Sequence, residues 1–399
     1  MPSADHILTL NAGSSSLKFA LFEHTNLNSS AKLPCAAIGQ IDGIGVSAGM
    51  TAKDGAGVPF QSLPVWDKGV SPDYPGALKI ILAFIEKQFP SVRICAVGHR
   101  VVHGGSGYDR SVVIGPEVIK TLTALTSLAP LHQPHNLAGI AAATAAFPNV
   151  PQIACFDTAF HRDHPFVQDT FAIPRALYDE GVRRYGFHGL SYEYIISKLR
   201  EVAPVLAKGK VIVCHLGNGA SVCAMDNGHS ITSTQGFSPL DGLPMGTRPG
   251  QLDPAVVLYL MQEKGMDADA ISNLLYRQSG LKGLSGISSD MRDLLASDHP
   301  HAREALDYLV SRIRREIGGL AAVLEGVDAL VFSGGIGENA VAIRSAVLKG
   351  LGWMGIEFDS ARNAAGQQTI SPDNARIGVF VIRTNEELMI ASHTADLIR

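Results

Sequence analysis

The sequence predicts an α/β fold, in which strands and helices alternate along the chain. Short apolar runs typical of buried strands occur at 94–97, 152–156 and 328–333, and each leads into a polar or glycine-rich loop. Segments with apolar residues three and four positions apart, such as 74–89, have the spacing typical of helices. Strands that alternate with such segments favour βαβ units and a parallel sheet.

The length and an internal similarity predict two domains. A chain of 399 residues is expected to form two, since a domain typically has about 100–200 residues. Residues 7–23 and 209–228 share one pattern, an apolar run, a turn with Asn and Gly, and a second apolar run, which favours an internal duplication. We expect an N-terminal domain over 1–157 plus about 386–399, and a C-terminal domain over 158–385.

The remaining elements follow from local patterns in chain order. Alternation of apolar and polar residues predicts a hairpin over 7–23, and Asn385 is the expected N-cap of the last helix. The further expected elements are helices at 74–89, 118–128, 137–146 and 301–326, strands at 94–97 and 152–156, a second hairpin at 209–228, strand, turn and helix over 328–340, and strand, turn and helix over 375–398.

Composition excludes several classes of protein. The net charge is −4 and no long basic run occurs, so an extended nucleic-acid interface is not expected. The five cysteines form no C-x-x-C pair and are interpreted as buried thiols, with no disulfide or zinc framework. The first residues lack the features of a signal peptide, and no apolar run reaches about 18 residues. No membrane association is expected, and the predicted location is cytoplasmic.

The tip of the first hairpin is rich in polar groups. It contains Asn11, Gly13, Ser14 and Ser16, with Lys18 just beyond. These are ordinary turn residues, and a hairpin requires nothing more. Backbone N–H groups, hydroxyls and an ammonium close together also suit a phosphate, so the tip is a hypothetical phosphate site.

A second glycine-rich turn leaves two nucleotide interpretations open. The segment from Gly335 to Ala340 reads G-x-G-x-x-A after a strand and before a helix, with Glu357 or Asp359 about twenty residues further on. This spacing fits a dinucleotide site of an oxidoreductase, whereas a glycine turn at a helix N-terminus also suits a mononucleotide. It is also compatible with a turn needed only for packing. The P-loop and H-E-x-x-H motifs are absent.

Single cationic side chains occupy several loops that follow strands or precede helices. Arg100, His188 and Arg248 are the main examples. Such loops gather at one edge of an open α/β sheet, where ligands bind. Arginine suits carboxylates and phosphates, and phosphoryl transfer requires charge stabilisers with a magnesium site. Asp157 and Glu386 are the acids available for the metal.

Nine motifs in order make the sequence resemble the acetokinase family. They are NAGSSSLK, GHRVVHGG, FDTAFH, RRYGFHGLS, HLGNGAS, GFSPLDGLPMGTR, SGISSDMRDL, GGIGEN and TNEEL, and they span residues 11–388. The resemblance implies the sugar kinase–actin–chaperone ATPase superfamily, with an actin-like, ribonuclease H-like fold of two related α/β domains and a nucleotide cleft between them. It also implies a homodimer that converts ATP and acetate reversibly into ADP and acetyl phosphate, with Mg²⁺, or alternatively Mn²⁺.

The resemblance assigns roles to individual positions. It implies Arg100, Arg248, His188 and Asp157 as catalytic residues, and Asn11 and Glu386 as metal-associated ones. The implied substrate positions are Arg100, Val102, Leu131, His132, Phe187 and Pro239. The implied nucleotide positions are Lys18, His215, Leu216, Gly217, Asn218, Gly219, Asp290, Met291, Arg292, Gly335, Ile336, Gly337, Glu338 and Asn339, with Ser14 and Ser16 in support.

The chemistry of a carboxylate acceptor limits what these residues must do. A carboxylate with a pKa near 4–5 is ionised at neutral pH and needs no general base. We therefore expect Asp157 to orient an arginine or metal ligands rather than to abstract a proton. Direct in-line transfer is expected, with Arg248 and His188 stabilising the charge on the phosphoryl group.

Some positions differ from the residues usual in the family. Pro249 and Gln251 stand where Ser and Asp are usual, Ser106 where Glu is common, and Tyr192 where His is common. Acetate and propionate differ by one methylene, which an apolar pocket discriminates by only about 1–3 kcal/mol, so propionate kinase activity is the nearest alternative. More distant alternatives are an NAD(P)-dependent oxidoreductase and a non-catalytic ATP-binding switch.

Overall fold

The chain divides into two compact units. The computed structural model describes residues 4–13, 16–24, 33–45, 48–64, 71–130 and 132–399. The first unit comprises the chain up to Ala159 together with Asn385–Arg399, and the second unit comprises Phe160–Thr384. Each unit contains one β-sheet and several helices, which confirms the predicted α/β class. No helix in these ranges combines the length and apolar character that a membrane span requires.

The regular elements within the described ranges are as follows. The strands are β1 Ala4–Ala12, β2 Ser16–Glu23, β3 Cys35–Asp42, β4 Gly49–Asp54, β5 Val92–Val101, β6 Val112–Val113, β7 Gln152–Phe156, β8 Lys210–Leu216, β9 Ala220–Asp226, β10 His229–Ser233, β11 Ala329–Ser333 and β12 Gly378–Val381. The α-helices are α1 Tyr74–Gln88, α2 Pro116–Ala124, α3 Gln133–Ala146, α4 Phe166–Asp169, α5 Arg175–Asp179, α6 Gly189–Val202, α7 Pro254–Gln262, α8 Ala268–Asn273, α9 Gly280–Ser285, α10 Met291–Ala296, α11 Pro300–Leu324, α12 Gly334–Asn339, α13 Val341–Lys349, α14 Ser360–Ala364 and α15 Glu386–Leu397. Leu125–Leu128, Ala159–His161, Leu206–Lys208 and Gly352–Met354 are 3₁₀ turns, and Leu274–Gln278 is a π-helical turn.

The two sheets repeat one arrangement of five strands. The first sheet has the order β4-β3-β2-β1-β5-β7-β6, and the second has the order β10-β9-β8-β11-β12. In the first, β1, β2 and β3 pair antiparallel, and β5 and β7 continue parallel on the other side of β1. In the second, β8, β9 and β10 pair antiparallel, and β11 and β12 continue parallel beside β8. The predicted duplication is therefore visible in the topology, with β4 and β6 added at the edges of the first sheet.

The parallel strands place the predicted site residues at the carboxyl ends of the sheets. In the first unit, Asn11 ends β1, Arg100 ends β5 and Asp157 follows β7 directly. Helix α15 packs on β1 and β5, and its first residue is Glu386. Ligands bind at this edge in open α/β sheets. The Asn385 side chain accepts from Leu388 N–H at 3.0 Å, so it caps α15 as predicted.

Several predicted elements differ in extent from those observed. The expected strand 94–97 is part of β5, which is ten residues long because it pairs with β1 on one side and β7 on the other. The expected helix 118–128 ends at Ala124 and continues as a 3₁₀ turn. All five cysteines are free, as predicted, but Cys35 and Cys95 are only half-buried rather than buried.

Gly334 joins β11 to α12 in a conformation that favours glycine. Its φ is +75°, and a Cβ there would lie 2.7 Å from the carbonyl oxygen of Leu216. We expect Gly334→Ala to destabilise the second unit by about 1–3 kcal/mol, because the strained backbone conformation and a clash with backbone add together. Urea unfolding monitored by circular dichroism measures the change.

Gly335→Ala is the matched control for this substitution. A Cβ at Gly335 would meet no atom within 4 Å, and the residue lies in a helix. Alanine there is expected to leave the free energy of unfolding unchanged or to raise it by up to about 1 kcal/mol, since alanine has a higher helix propensity than glycine. Equal effects of the two substitutions would contradict the assigned role of Gly334.

Candidate active site

Arg100 is the centre of a buried hydrogen-bonded cluster in the first unit. Its Nε and Nη2 atoms donate to the two carboxylate oxygens of Asp157 at 2.9 and 2.6 Å, a bidentate pair. Its Nη1 atom donates to Oδ1 of Asn11 at 3.2 Å, and its Nε atom lies 3.8 Å from Glu386 Oε2. Asn11 Nδ2 is 3.5 Å from the same Glu386 oxygen. The structure thus brings together the four catalytic and metal-associated residues predicted from the first unit, Asn11, Arg100, Asp157 and Glu386.

The charges in this cluster stabilise the guanidinium. Burial lowers the pKa of Arg100, but Asp157 and Glu386 outweigh it, so that pKa lies above its ordinary value. Asp157 is only 1% exposed, while Arg100 is 16% exposed. Burial, followed by the adjacent charge of Glu386, raises the pKa of Glu387, while Lys18 and Arg100 oppose that shift. Asp157 therefore holds Arg100 in place and charged, with part of the guanidinium still accessible.

Asn136 fixes the loops around this cluster. Its Nδ2 atom donates to the Ala12 carbonyl at 2.9 Å, and its Oδ1 atom accepts from Val102 N–H at 3.0 Å. It is 2% exposed and lies in the first turn of α3. It therefore connects the end of β1 to the loop after β5. Tyr74 also donates to the Gly13 carbonyl, at the hairpin tip.

The predicted substrate residues lie in both units. Val102 is buried and His132 half-buried in the first unit, and Phe187 and Pro239 are buried in the second. The predicted positions Leu131 and Ser14 lie outside the described residues. Lys18 is exposed and pairs with Asn11 across the first hairpin.

His188 lies at the start of α6 in a left-handed conformation, with φ +59° and ψ +23°. Its Nδ1 atom is 2.8 Å from Ser221 Oγ, and its ring stacks on His215 with centroids 4.4 Å apart. The His215 Nδ1 atom is 2.8 Å from Ser191 Oγ. Backbone conformations of this kind are uncommon outside glycine and concentrate at functional sites. The two imidazoles are thus held side by side, each through Nδ1.

Arg248 is a half-buried cation that faces the same glycine as His188. A Cβ at Gly219 would lie 2.8 Å from Arg248 Nη2 and 3.3 Å from His188 Nε2. Arg248 Nη1 donates to the Pro239 carbonyl at 2.8 Å, and no carboxylate of the described residues pairs with this guanidinium. Burial lowers the pKa of Arg248 to about 10, so the side chain still carries its charge at neutral pH. A half-buried cation that lacks a carboxylate partner is suited to an anionic ligand.

The predicted nucleotide segments form the glycine-rich turns of the second sheet. Gly217 N–H donates to the Gly219 carbonyl at 3.0 Å in the β8–β9 turn, and Gly246 N–H lies 3.4 Å from the Asn218 carbonyl. This turn lies beside the start of α12, since a Cβ at Gly217 would be 3.8 Å from Gly335 N. Leu216, Gly217, Gly246 and Ile336 line a small, mostly apolar cavity there.

Other predicted nucleotide residues have structural partners. Glu338 accepts from the N–H groups of Gly334 and Thr384 at 3.0 and 3.1 Å, and Asn339 Nδ2 donates to the Gly335 carbonyl at 2.8 Å. Asp290 caps α10 and binds the exposed Arg292 guanidinium at 2.6 Å. The remaining positions of this set lie in α10 and α12, where Met291 and Gly337 are buried.

Sequence reasoning missed Ser221, Asn136 and Glu387 as parts of the site, and it treated Tyr192 only as a departure from the family. Ser221 lies in the turn-like segment that repeats the first hairpin, which was the available signal. Within the described residues, no cluster of three His, Cys, Asp or Glu side chains could hold a metal ion.

Comparison with known proteins confirms the resemblance. The chain matches the acetokinase family over residues 6–392. It is 56% identical over 394 residues to an acetate kinase of Methylocella silvestris, with 98% of each chain covered. It resembles the crystal structure of an acetate kinase from Porphyromonas gingivalis, with 36% identity and a TM-score of 0.86 over 99% of this chain and 100% of that chain. It also resembles the crystal structure of a propionate kinase from Francisella tularensis, with 35% identity and a TM-score of 0.88 over 98% of this chain and 100% of that chain. The chain therefore belongs to the acetokinase family.

Proposed function

We propose that this chain catalyses reversible phosphoryl transfer from ATP to the carboxylate of acetate, giving acetyl phosphate and ADP. Family membership supports the reaction class. The observation that carries the proposal is Arg248, a half-buried guanidinium with no carboxylate partner among the described residues, next to His188 and the Gly217–Gly219 turn. Phosphoryl transfer needs such positioned charge more than it needs covalent chemistry.

Arg100 is proposed to bind the acetate carboxylate. Two anions, the carboxylate and the terminal phosphate, must approach each other, and arginines offset their repulsion. The bidentate bond to Asp157 occupies the Nε and Nη2 edge of Arg100 and fixes the plane of the guanidinium, so that Nη1, which Asn11 contacts, points away from Asp157. Asp157 is thereby proposed as an orienting residue, because both of its oxygens accept from Arg100.

Arg248 and His188 are proposed to stabilise the transferring phosphoryl group. Charge spreads over its three equatorial oxygens in the transition state, so donors aimed at those oxygens accelerate the reaction. Arg248 Nη2 and His188 Nε2 both border Gly219, where a side chain would crowd them. This glycine leaves room for a phosphate between the donors and the backbone.

Asn11 and Glu386 are proposed to hold Mg²⁺ with the phosphates of ATP. The side chains of Asn11 and Glu386 are neighbours, with Asn11 Nδ2 3.5 Å from Glu386 Oε2. A carboxylate and an amide oxygen are ligands that suit Mg²⁺, which binds through one or two carboxylates and completes its shell with water and phosphate oxygens. When bound, the ion neutralises phosphate charge. The turns at Gly217–Gly219 and Gly334–Gly335 are proposed to bind the nucleotide through backbone N–H groups.

Trapping of the acyl phosphate with hydroxylamine tests the proposal. Purified protein is incubated with MgATP and acetate, propionate or butyrate in parallel, with a control lacking acid. We expect hydroxamate with acetate, and the ranking of kcat/KM across the acids identifies the preferred substrate. Absence of hydroxamate with every acid, while ATP still binds, would contradict the proposed kinase activity and favour a non-catalytic ATP-binding switch.

Propionate is the one competing substrate that a specific observation favours. One of the similar crystal structures is a propionate kinase, at 35% identity. The buried apolar side chains Val102 and Phe187 are compatible with either acid, since one methylene changes binding by only about 1–3 kcal/mol. The parallel assay above distinguishes them.

We further propose a homodimer formed through α7. None of its residues is buried, although Val256, Leu258, Tyr259 and Met261 are large apolar side chains that stand exposed. A contiguous apolar surface of this kind is typical of an interface. Leu258→Glu is expected to shift the protein from dimer to monomer in analytical ultracentrifugation, because a charge in the centre of an apolar interface is poorly solvated.

Val205→Glu is the matched control for the α7 substitution. Val205 is 82% exposed in the same unit, outside α7. It is expected to leave the sedimentation coefficient unchanged. A Leu258→Glu protein that sediments like the parent would remove the support for α7 as the interface.

A further inference from the structure

A chain of two hydrogen bonds connects the Tyr192 hydroxyl to His188. Tyr192 OH lies 2.5 Å from Ser221 Oγ, and Ser221 Oγ lies 2.8 Å from His188 Nδ1. Tyr192 and Ser221 are completely buried, and they lie on α6 and β9, which are regular elements. Tyr192 and Ser221 are therefore held in fixed positions without access to water, while His188 is half-buried.

Only one direction of these hydrogen bonds satisfies every donor. In the described part of the chain, Ser221 is the hydrogen-bond partner of the Tyr192 hydroxyl, and His188 is the other partner of Ser221. A buried phenol O–H left without an acceptor costs about 1–3 kcal/mol. Tyr192 must therefore donate to Ser221. If His188 also donated to Ser221, the serine proton would have no acceptor, so Ser221 donates to His188 Nδ1.

We infer that Tyr192 and Ser221 are positioning residues that hold His188 as a neutral imidazole with its proton on Nε2. An imidazole whose Nδ1 atom accepts a hydrogen bond carries its proton on the other nitrogen. His188 Nε2 faces Gly219, where Arg248 Nη2 also lies. The inference rests on the proposed function, in which this Nε2–H group donates to an oxygen of the transferring phosphoryl group.

The surroundings of His188 also oppose a second proton. Protonation at Nδ1 would require both hydrogen bonds to reverse, which leaves the Tyr192 proton without an acceptor. A cationic imidazole would also face Arg248 beside Gly219 and the stacked ring of His215. Among the described residues, the titratable and charged groups that face His188 and Tyr192 include His215, Arg248, His161, Cys214 and Cys223.

Tyr192→Phe removes the proton that sets the direction of these bonds. Ser221 is then free to accept from His188, so both tautomers and the imidazolium become accessible. We expect the acid limb of the pH profile of kcat/KM to move to higher pH by about half a unit or more. Relative to the parent, the variant should therefore lose more activity at low pH than at high pH. Tyr194→Phe is the matched control, since Tyr194 lies two residues further along the same helix, α6, and is half-buried.

Nitrogen-15 spectra of histidine-labelled protein measure the tautomer directly, with His188→Gln identifying the signals of this residue. The parent is expected to show the Nε2–H tautomer at neutral pH, and Tyr192→Phe a mixture, while Tyr194→Phe resembles the parent. An Nδ1–H tautomer in the parent, or an unchanged acid limb in Tyr192→Phe, would overturn the inference. The spectra need no turnover, so they test the tautomer of His188 even if the parent protein forms no acyl phosphate. Failure of this inference is therefore distinguishable from failure of the proposed function.

Discussion

Arg248→Ala is expected to lower kcat for acetyl phosphate formation by about a hundredfold to a thousandfold. Removing one donor that stabilises charge in a transition state typically has an effect of that size, about 2.7–4 kcal/mol. Arg248 retains its charge at neutral pH even though burial lowers its pKa to about 10. Steady-state kinetics with saturating acetate and MgATP measure the change. A loss below about tenfold, or 1.4 kcal/mol, would contradict the proposed role.

The stability of the Arg248→Ala protein separates a catalytic role from a structural one. A partly desolvated cation without a carboxylate partner is costly in the free protein, and among the described residues the Pro239 carbonyl is the hydrogen-bond acceptor of Arg248. We therefore expect a melting temperature equal to or above that of the parent. Arg303→Ala is the control, because this α11 arginine is 79% exposed and pairs only with Asp307. Arg303→Ala should leave kcat unchanged and should change the free energy of unfolding by no more than about 0.5 kcal/mol.

Local patterns in the sequence were sufficient to predict the elements that carry the site. The hairpin β1–β2, the β8–β9 pair and the strand–turn–helix at β11 and α12 each combine an apolar run with turn chemistry, and the repeated five-strand order follows from their duplication. Strands β3 and β4 were not predicted individually, because they contain small and polar residues and are stabilised by pairing with β2. Their formation depends on tertiary context rather than on local preference.

The hydrogen bonds within the site could not be read from local patterns. Arg100 and Asp157 are 57 positions apart, and His188 and Ser221 are 33 apart, so neither pair has a periodic signal. The acetokinase motifs identified Arg100, Asp157 and His188, but not the buried side chains that orient them. In the sequence, Asn136 is recognisable only as a polar residue near the start of a predicted helix. Its two hydrogen bonds form because β1 and β5 are neighbours in the sheet.

A double-mutant cycle on Arg100 and Asp157 is expected to show strong coupling. Asp157→Asn leaves the Arg100 guanidinium without its bidentate partner, which costs about 3–5 kcal/mol when the charge is buried. We expect each single variant, Arg100→Ala and Asp157→Asn, to lose at least about a hundredfold in kcat/KM for acetate. If Asp157 acts through Arg100, the double variant should be scarcely slower than the slower single variant, because the second change removes a partner already lost.

The outcome distinguishes an orienting carboxylate from a reacting one. A carboxylate that abstracted a proton or contacted the substrate by itself would give losses that multiply, and its loss would remain large in the Arg100→Ala background. Arg93 and Asp5 provide the control cycle, since they form an equally bidentate pair in the same unit but Arg93 is 63% exposed. Their coupling should stay below about 1 kcal/mol in stability and leave kcat unchanged. Acetate is already ionised at neutral pH and needs no general base, so we expect the coupled result.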